Sequence, residues 1–296
     1  MNSVLQQPAL GKPGRSRLQA YVFVSSAHPL KGPQGATFSP TTATLICGET
    51  EAVLIDTLIA KEDVDALADC IARHGRRLTN ILITHGHPDH YFGMDRLLSR
   101  FPAARVMAAP GVVDHIRANR SKDQKQFEKI MSVDIVKPTS LPEPLASDVI
   151  DLEGEQLRVV NVGQGDIAPS TVVWIPTLEM VVAGDVAYNS NHLMLGLSGP
   201  EEWKRWIESV NALRALKPKT VIAGHKKPEV SDEAEAILDG TEAYIRDFAQ
   251  VTHHQQRPKK LFPGCAKDIP ATRMLRYSLC RQKHSSTGPA PEVWTI

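Results

Sequence analysis

Cysteine is scarce and scattered in this chain. The 296 residues include four cysteines, Cys47, Cys70, Cys265 and Cys280, and no two of them form a CxxC pair. A disulfide framework needs closely spaced cysteines in an oxidising compartment, so we exclude one and expect reduced thiols in an intracellular protein.

The sequence also lacks a long apolar run and a strong charge of either sign. No stretch approaches the ~20 apolar residues of a membrane span, and the N-terminus lacks the apolar segment of a signal peptide. The formal net charge is only +1, which steers the protein neither to nucleic acid nor to lipid. We therefore expect a cytoplasmic protein that acts on a small-molecule substrate and has no nucleic-acid or membrane partner. A homodimer is compatible with these properties.

Three regions follow from the distribution of Pro, Gly and apolar residues. Residues 1–40 are rich in Pro, Gly and Ser and predict a flexible lead-in with one short strand near 21–24. Residues 41–250 alternate strand and helix patterns, which predicts one α/β domain. Residues 251–296 show no sustained period and many basic side chains, so we expect a poorly ordered or loosely packed tail.

Three apolar runs in the domain end in residue types that bind metals. The run NILIT, residues 80–84, predicts a buried strand that leads into THGHPDH, and the runs VVAGD and VIAGH predict two more strands with such an ending. Imidazole and carboxylate are ligands that zinc prefers, and loops at one sheet edge bring distant residues together. The alternative is a polar loop with incidental histidines, which three such endings disfavour. The candidate ligands are His85, His87, Asp89, His90, Asp185 and His225.

The motifs THGHPDHYFG, AGDVAYN and AGH resemble those of the metallo-β-lactamase-fold hydrolases, whose signature is HxHxDH followed by a distant His, Asp and His. The resemblance covers roughly residues 40–250 and is nearest to a group with THGHxDHxFG and AGDxxYN. It implies an αββα sandwich of two mixed β-sheets flanked by helices, with a two-metal site along one edge. It also implies two Zn²⁺ per chain, with Mn²⁺ or Fe²⁺ as alternatives.

The resemblance assigns the ligands position by position, and one of them departs from the pattern. The first site would take His85 and His87, the second Asp89, His90 and His225, with Asp185 bridging both. The remaining first-site ligand, a His about twenty residues before the bridging Asp, is replaced by Gln164. Three outcomes stay open: Gln164 completes a weakened first site, that site is partly occupied or empty, or Asp166 substitutes.

By the same resemblance, the chain would be a metal-dependent hydrolase in which a metal-bound hydroxide opens an ester, lactone or lactam carbonyl. Asp89 would also move a proton to the leaving group. Tyr188 lies three residues after Asp185, at an offset where lactone hydrolases of this fold place a hydroxyl that donates to the substrate carbonyl, although a packing role is equally open. Further candidates are His192, a spare imidazole, and the neighbours Lys226 and Lys227, which could attract an anionic substrate, although exposed lysines are common.

Two other functions remain open at this stage. Because Gln164 replaces a ligand, the chain could be a degenerate fold member that binds a ligand without turnover, although the retained second-site set argues against this. A phosphodiesterase is the other alternative, and the near-neutral charge disfavours it.

Overall fold

Two β-sheets packed face to face form the centre of the structure. The computed structural model describes residues 17–32, 34–256 and 294–295. Its strands are β1 (Gln19–Val24), β2 (His28–Pro29), β3 (Ala36–Phe38), β4 (Thr42–Cys47), β5 (Glu51–Ile55), β6 (Arg77–Ile83), β7 (Arg105–Ala108), β8 (Glu143–Pro144), β9 (Val149–Leu152), β10 (Glu155–Gly163), β11 (Ser170–Ile175), β12 (Met180–Asn189), β13 (Thr220–Lys226) and β14 (Trp294–Thr295).

Six helices cover the outer faces of these sheets. They are α1 (Lys61–Arg73), α2 (Pro88–Tyr91), α3 (Met94–Arg100), α4 (Pro110–Ile130), α5 (Pro200–Ala215) and α6 (Ala234–Gln256). Two single 3₁₀ turns, Pro176–Leu178 and Leu195–Leu197, complete the described elements. None of the described helices combines the length and the apolarity that a membrane span requires.

Both sheets are mixed, as the sequence predicts. The first has the strand order β1-β4-β5-β6-β7-β8, antiparallel as far as β5 and parallel from β5 onward. The second has the order β13-β12-β11-β10-β9, with a parallel β12/β13 pair and antiparallel pairs elsewhere. A small third sheet, β14-β3-β2, lies beside them.

The side-chain alternation of the strands builds three apolar layers. On β4, Ile46 faces the second sheet, whereas Leu45 and Cys47 face the helices α1 to α4. Successive residues of a strand point to opposite sides, so a strand that is apolar on both faces is buried between two layers. The second sheet repeats this arrangement under α5 and α6, where Trp203 and Trp206 are buried. The αββα prediction is confirmed.

One strand limit at the site departs from the sequence expectation. Strand β12 does not end at Asp185 but continues to Asn189, with irregular pairing to β13 from Gly184 onward. The expected strand end is thus a bulge inside a strand, which a hydrophobicity pattern does not show.

The two predicted flanking regions are described only in part. Strand β1 lies within the predicted lead-in 1–40 and pairs with β4 of the first sheet. In the predicted tail 251–296, α6 covers the first six residues and β14 pairs with β3, while 257–293 and 296 lie outside the described residues. The predicted disorder of the tail therefore stays a prediction.

A carboxylate ties the two sheets together at the end opposite the ligand motifs. Glu153, in the turn between β9 and β10, accepts hydrogen bonds from the backbone amides of Glu49, Thr50 and Glu51 and from the Thr50 hydroxyl. These donors, with the Thr50 hydroxyl first, lower the pKa of Glu153 to about 2. The clamp therefore connects the β4–β5 turn of one sheet to the β9–β10 turn of the other.

We expect Glu153→Gln to lower the Tm by a few degrees at pH 7, because it weakens four hydrogen bonds to a charged acceptor. The pKa is lowered on folding, so the stabilisation is present above pH ~4.5 and is lost as the pH falls toward 2. Thermal unfolding from pH 7 to pH 2 should show the two proteins converging in acid. Glu155→Gln is the matched control, because among the described residues this carboxylate accepts a hydrogen bond only from the Thr177 hydroxyl. An equal effect of both variants would contradict the clamp.

Candidate metal centre

Parallel strands bring the ligand-bearing segments to one edge of the sandwich. Strands β5 and β6 run in parallel, so Asp56 and Thr84, the residues that follow them, lie side by side. The THGHPDH segment starts there, and Pro88 opens α2, which places Asp89 and His90 in a first helical turn. Isolated bridges join His85 to Ser170 and Thr41 to His225, and so fix the ligand segments of the two sheets against each other.

Seven His and Asp side chains converge there in two adjacent groups. Within each group, one ligand atom of every residue lies within 4.8 Å of the others. All of these side chains are buried except that of His87, which is partly exposed. The first group is His85, His87, Asp166 and Asp185, and the second is Asp89, His90 and His225.

Asp185 lies between the two groups. Its carboxylate oxygens are 3.7 Å from His85 Nε2 in the first group, and 3.1 Å from His90 Nε2 and 3.2 Å from His225 Nε2 in the second. The preceding Gly184 has φ +49°, a conformation that glycine adopts without strain, and the β12 bulge there turns Asp185 toward the centre. Asp185 is therefore close to ligand atoms of both groups, and the bridging role that the resemblance implies for it stays a prediction.

Hydrogen bonds on the far side of the imidazoles orient them. The Nδ1 atom of His90 lies 2.8 Å from Asp56 Oδ2, and Nδ1 of His85 lies 3.0 Å from the Thr84 hydroxyl, which itself donates to Asp56. Asp56 therefore holds one histidine of each group. Such partners fix the tautomer and leave Nε2 to the metal.

The second group has similar supports. The Nδ1 atom of His225 lies 2.9 Å from the Ser39 hydroxyl, and the Thr41 hydroxyl donates to Asp89 Oδ2 across 2.9 Å. Tyr188 stacks on the His225 ring at a centroid distance of 5.2 Å. These side chains hold each ligand in one orientation before any ion binds, which reduces the entropy lost on binding.

Several ligand atoms have no hydrogen-bond partner among the described residues. They include His85 Nε2, His90 Nε2 and Asp185 Oδ1, all fully buried. A buried polar atom without a partner costs free energy, so such a cluster indicates a missing ligand. His90 Nε2 and Asp185 Oδ1 are 3.1 Å apart but do not form a hydrogen bond. This arrangement is the one expected of two metal ligands that bind the same cation. The residues therefore fit metal ions.

The charges of the centre also favour the binding of metal ions. Burial alone would lower the pKa of the His87 imidazole, but Asp166 and Asp185 raise it to about 10. Burial would also lower the pKa of His225, but Asp185 and Asp89 raise it to about 10. In the absence of metal, protons on these histidines thus balance the buried carboxylates, and a metal ion must displace them.

Asp166 lies in the first group with His85 and His87, for which the resemblance implies a third imidazole. Burial raises the pKa of the Asp166 carboxyl to about 6, while its Oδ2 atom lies 2.6 Å from His87 Nδ1. The Gln164 side chain is also buried, but its amide nitrogen donates to the Gly165 carbonyl across 3.1 Å. Of the three outcomes left open by the sequence, this geometry favours Asp166, and the ligand role assigned to Gln164 stays a prediction.

Three other candidates have partners of their own. The Tyr188 hydroxyl donates to Asp185 Oδ2 across 2.8 Å, so it supports the bridging carboxylate. His192 Nδ1 lies 2.7 Å from the Tyr244 hydroxyl and belongs to neither ligand group. Lys226 is fully buried with its Nζ 2.6 Å from Asp232 Oδ1, so the prediction that it attracts substrate from solvent is wrong. Lys227 is exposed, and the same role for it stays a prediction.

Sequence reasoning missed the residues that orient the ligands. Asp56 follows the apolar run AVLI, and a polar residue at the end of a strand beside the ligand strand was a usable signal. Ser39, Thr41 and Thr84 gave no such signal, because hydroxyl residues are common in strands and turns. Their role depends on the pairing of strands that lie far apart in the sequence.

The αββα fold and the two adjacent groups of His and Asp ligands define a metal-binding protein. The family model described as the metallo-beta-lactamase superfamily matches residues 36–225, and the chain belongs to this superfamily. That match includes every ligand of both groups. The family predicted from the sequence is thereby confirmed.

Individual relatives are distant or match only in part. A metallo-beta-lactamase type 2 from Bacteroides fragilis is 21% identical over 215 residues, which cover 70% of this chain and 76% of that protein. A hydroxyacylglutathione hydrolase from Francisella tularensis is 40% identical over 67 residues, only 23% of this chain and 25% of that protein.

Solved structures confirm the fold. A metallo-beta-lactamase from Pontibacter korlensis superposes with a TM-score of 0.59 at 20% identity, covering 82% of this chain and all of that one. A metallo-beta-lactamase family protein from Thermus thermophilus gives 0.60 at 18% identity, covering 80% of this chain and 83% of that one. At such low identity these structures establish the fold and not the reaction.

We expect Asp166→Asn to lower metal content by about one ion per chain, because it removes the charged ligand that completes the first group. Gln164→Met keeps the length of the buried side chain, removes its amide and should leave the content unchanged. Elemental analysis after defined metal loading measures both, with the Tm as a check on folding. If Gln164→Met loses an ion while Asp166→Asn keeps it, the amide is the ligand.

Metal affinity should rise with pH between pH 6 and 9. The pKa values of His87 and His225 are raised to about 10, so both imidazoles hold protons over this range and each must lose one to bind a cation. The apparent affinity should gain up to about tenfold per pH unit for each displaced proton. Calorimetry in buffers of different ionisation enthalpy would count these protons, and an affinity independent of pH would contradict the assignment.

Proposed function

We propose that this protein is a metal-dependent hydrolase that opens the carbonyl of an ester, lactone or lactam in a small molecule. The observation that carries the proposal is the position of Asp185 between two buried groups, in which four ligand atoms lack hydrogen-bond partners among the described residues. Two cations held side by side, with one partly exposed edge at His87, form a reaction site rather than a closed structural site.

The chemistry follows from that arrangement. When bound, the two metals would supply a hydroxide nucleophile at neutral pH and a Lewis acid for the carbonyl oxygen. Asp185 would hold the pair at a fixed separation, with its orientation set by the Tyr188 hydroxyl. Asp89, whose Oδ2 accepts from the Thr41 hydroxyl, would take a proton and pass it to the leaving group.

The role of Tyr188 follows from its hydrogen bond. Its side chain is 5% exposed and donates to Asp185, so in this structure it is a positioning residue for the bridging carboxylate. Burial and Asp185 raise its pKa well above the ordinary value, which keeps the hydroxyl protonated as a donor. Donation to a substrate carbonyl would require this bond to be exchanged, and we retain that step as part of the proposal.

The choice of metal follows from the donor types. Each group combines two imidazoles with carboxylates, and Asp166 adds a carboxylate where the family pattern has an imidazole. Imidazole suits zinc and iron, whereas additional carboxylate favours Mn²⁺ and related hard ions. We therefore propose Zn²⁺, with Mn²⁺ or Fe²⁺ as alternatives. We expect the first group to prefer zinc over these ions less strongly than the second group does.

A screen of lactones, lactams, esters and thioesters, with Zn²⁺, Mn²⁺ and Fe²⁺ supplied in turn, tests the function. Lactams and thioesters belong in it because the matched relatives are named a lactamase and a hydroxyacylglutathione hydrolase. We expect turnover of at least one class, abolished by chelation and restored by metal. Asp185→Asn should reduce kcat at least ~100-fold, since it removes the charge shared by both cations.

Two results would contradict the proposal. Turnover that persists without metal would show that the ligand groups are not the reaction site. Full metal loading with no turnover of any of the four substrate classes would favour the degenerate ligand-binding alternative.

A further inference from the structure

Gly86 separates two histidines of the first group, and the packing of helix α4 requires a glycine there. Gly86 is buried between His85 and His87, and its φ is not in the left-handed region, so its backbone would accept an alanine. A Cβ at this position, however, would collide with Cδ2 of His115 and would lie 3.2 Å from Cγ of the same ring. The close approach of the His115 ring is therefore the reason for a glycine between the two ligands.

The N-terminal part of α4 is fixed on both sides of this contact. Val112 and Ile116 are fully buried in the core beneath the helix. Gly111 lies four residues before His115 on the same side of the helix, and a Cβ at Gly111 would be 3.2 Å from Cγ of Pro169. One side of α4 thus packs on both segments that carry ligands of the first group near it, the HGH segment and the loop before β11.

This packing matters most for His87. The rings of His85, His90 and His225 each lie within hydrogen-bond distance of an oxygen outside the ligand groups. The His87 ring has no such partner among the described residues, because its Nδ1 lies 2.6 Å from Asp166, which itself belongs to the first group. Packing of α4 on the preceding glycine therefore takes the place of an outer hydrogen bond at this ligand.

His115 contacts the HGH segment through the shape of its ring. It belongs to neither ligand group, and its side chain is partly exposed. The two ring atoms nearest to the position of a Cβ on Gly86 are the carbons Cδ2 and Cγ. The contact is therefore a van der Waals contact, which a flat ring without nitrogen can also make.

We propose that His115 is a positioning residue for the first metal group, because its ring, packed on Gly86, fixes the orientation of His87 and so the affinity of that group for its ion. The proposal rests on the proposed function, in which both ligand groups hold a metal. Without the ring, His87 would have more freedom before the ion binds, and more entropy would be lost on binding. The second group, whose histidines have oxygen partners of their own, should not depend on His115.

Stepwise titration of the metal-free full chain with Co²⁺, followed by visible absorption and calorimetry, measures the two groups separately. The step that Asp166→Asn removes identifies the first group. We expect His115→Ala to weaken this step about tenfold, the lower end of the effect of removing an outer partner of a ligand, and to leave the other step unchanged. His115→Phe keeps a flat ring against the glycine and should retain most of the wild-type affinity.

A second pair of variants tests the contact itself. Gly86→Ala should weaken the first-group step, because the new methyl group and the His115 ring cannot occupy the same space. In the His115→Ala background the same methyl group should cause no further loss, which a double-mutant cycle measures as coupling between the two positions. The control is Gly196→Ala, at a glycine with open space around it, which should change neither step.

Several results would overturn the proposal. Equal weakening of both steps by His115→Ala would indicate a general loss of stability, and a Phe variant as weak as the Ala variant would assign the effect to the imidazole nitrogens. No effect of Gly86→Ala, additive losses in the double variant, or a wild type that shows a single Co²⁺ step would also contradict it. Metal binding requires no turnover, so a failure of the hydrolase proposal would appear in the substrate screen and not here.

Discussion

The structure depends on the burial of three carboxylates, Asp89, Asp166 and Asp185, within a few ångströms of one another. Like charges in a low-dielectric interior repel, and without metal the chain balances them with protons on His87 and His225. Divalent cations replace those protons with a stronger attraction. The sandwich supplies the rigidity, since each ligand segment begins or ends in a strand of one sheet and is bridged to the other.

Asp56 links the two halves of the centre. Through its own hydrogen bond to His90 and through Thr84 to His85, one carboxylate orients a histidine of each group. Its backbone has φ +63°, a strained conformation for a residue with a side chain, which the structure maintains at this position. Asp56 therefore orients one histidine of each group at the same time.

Local sequence was sufficient for the ligands that follow apolar runs, and insufficient where the chain turns. His85 and His87 were predictable because they follow a buried strand directly, and His225 because it closes another. The choice between Gln164 and Asp166 was not, because the two lie two residues apart in one loop and only the path of that loop decides which turns inward.

The central claim is that Asp166 completes a first metal site beside a second one. A crystal structure of metal-loaded protein, with anomalous scattering collected at the absorption edge of the metal, tests it most directly. The account predicts two anomalous peaks, one among His85, His87 and Asp166 and one among Asp89, His90 and His225, with Asp185 touching both. A single peak in the second group, or a first peak bound by Gln164 with Asp166 turned away, would contradict it.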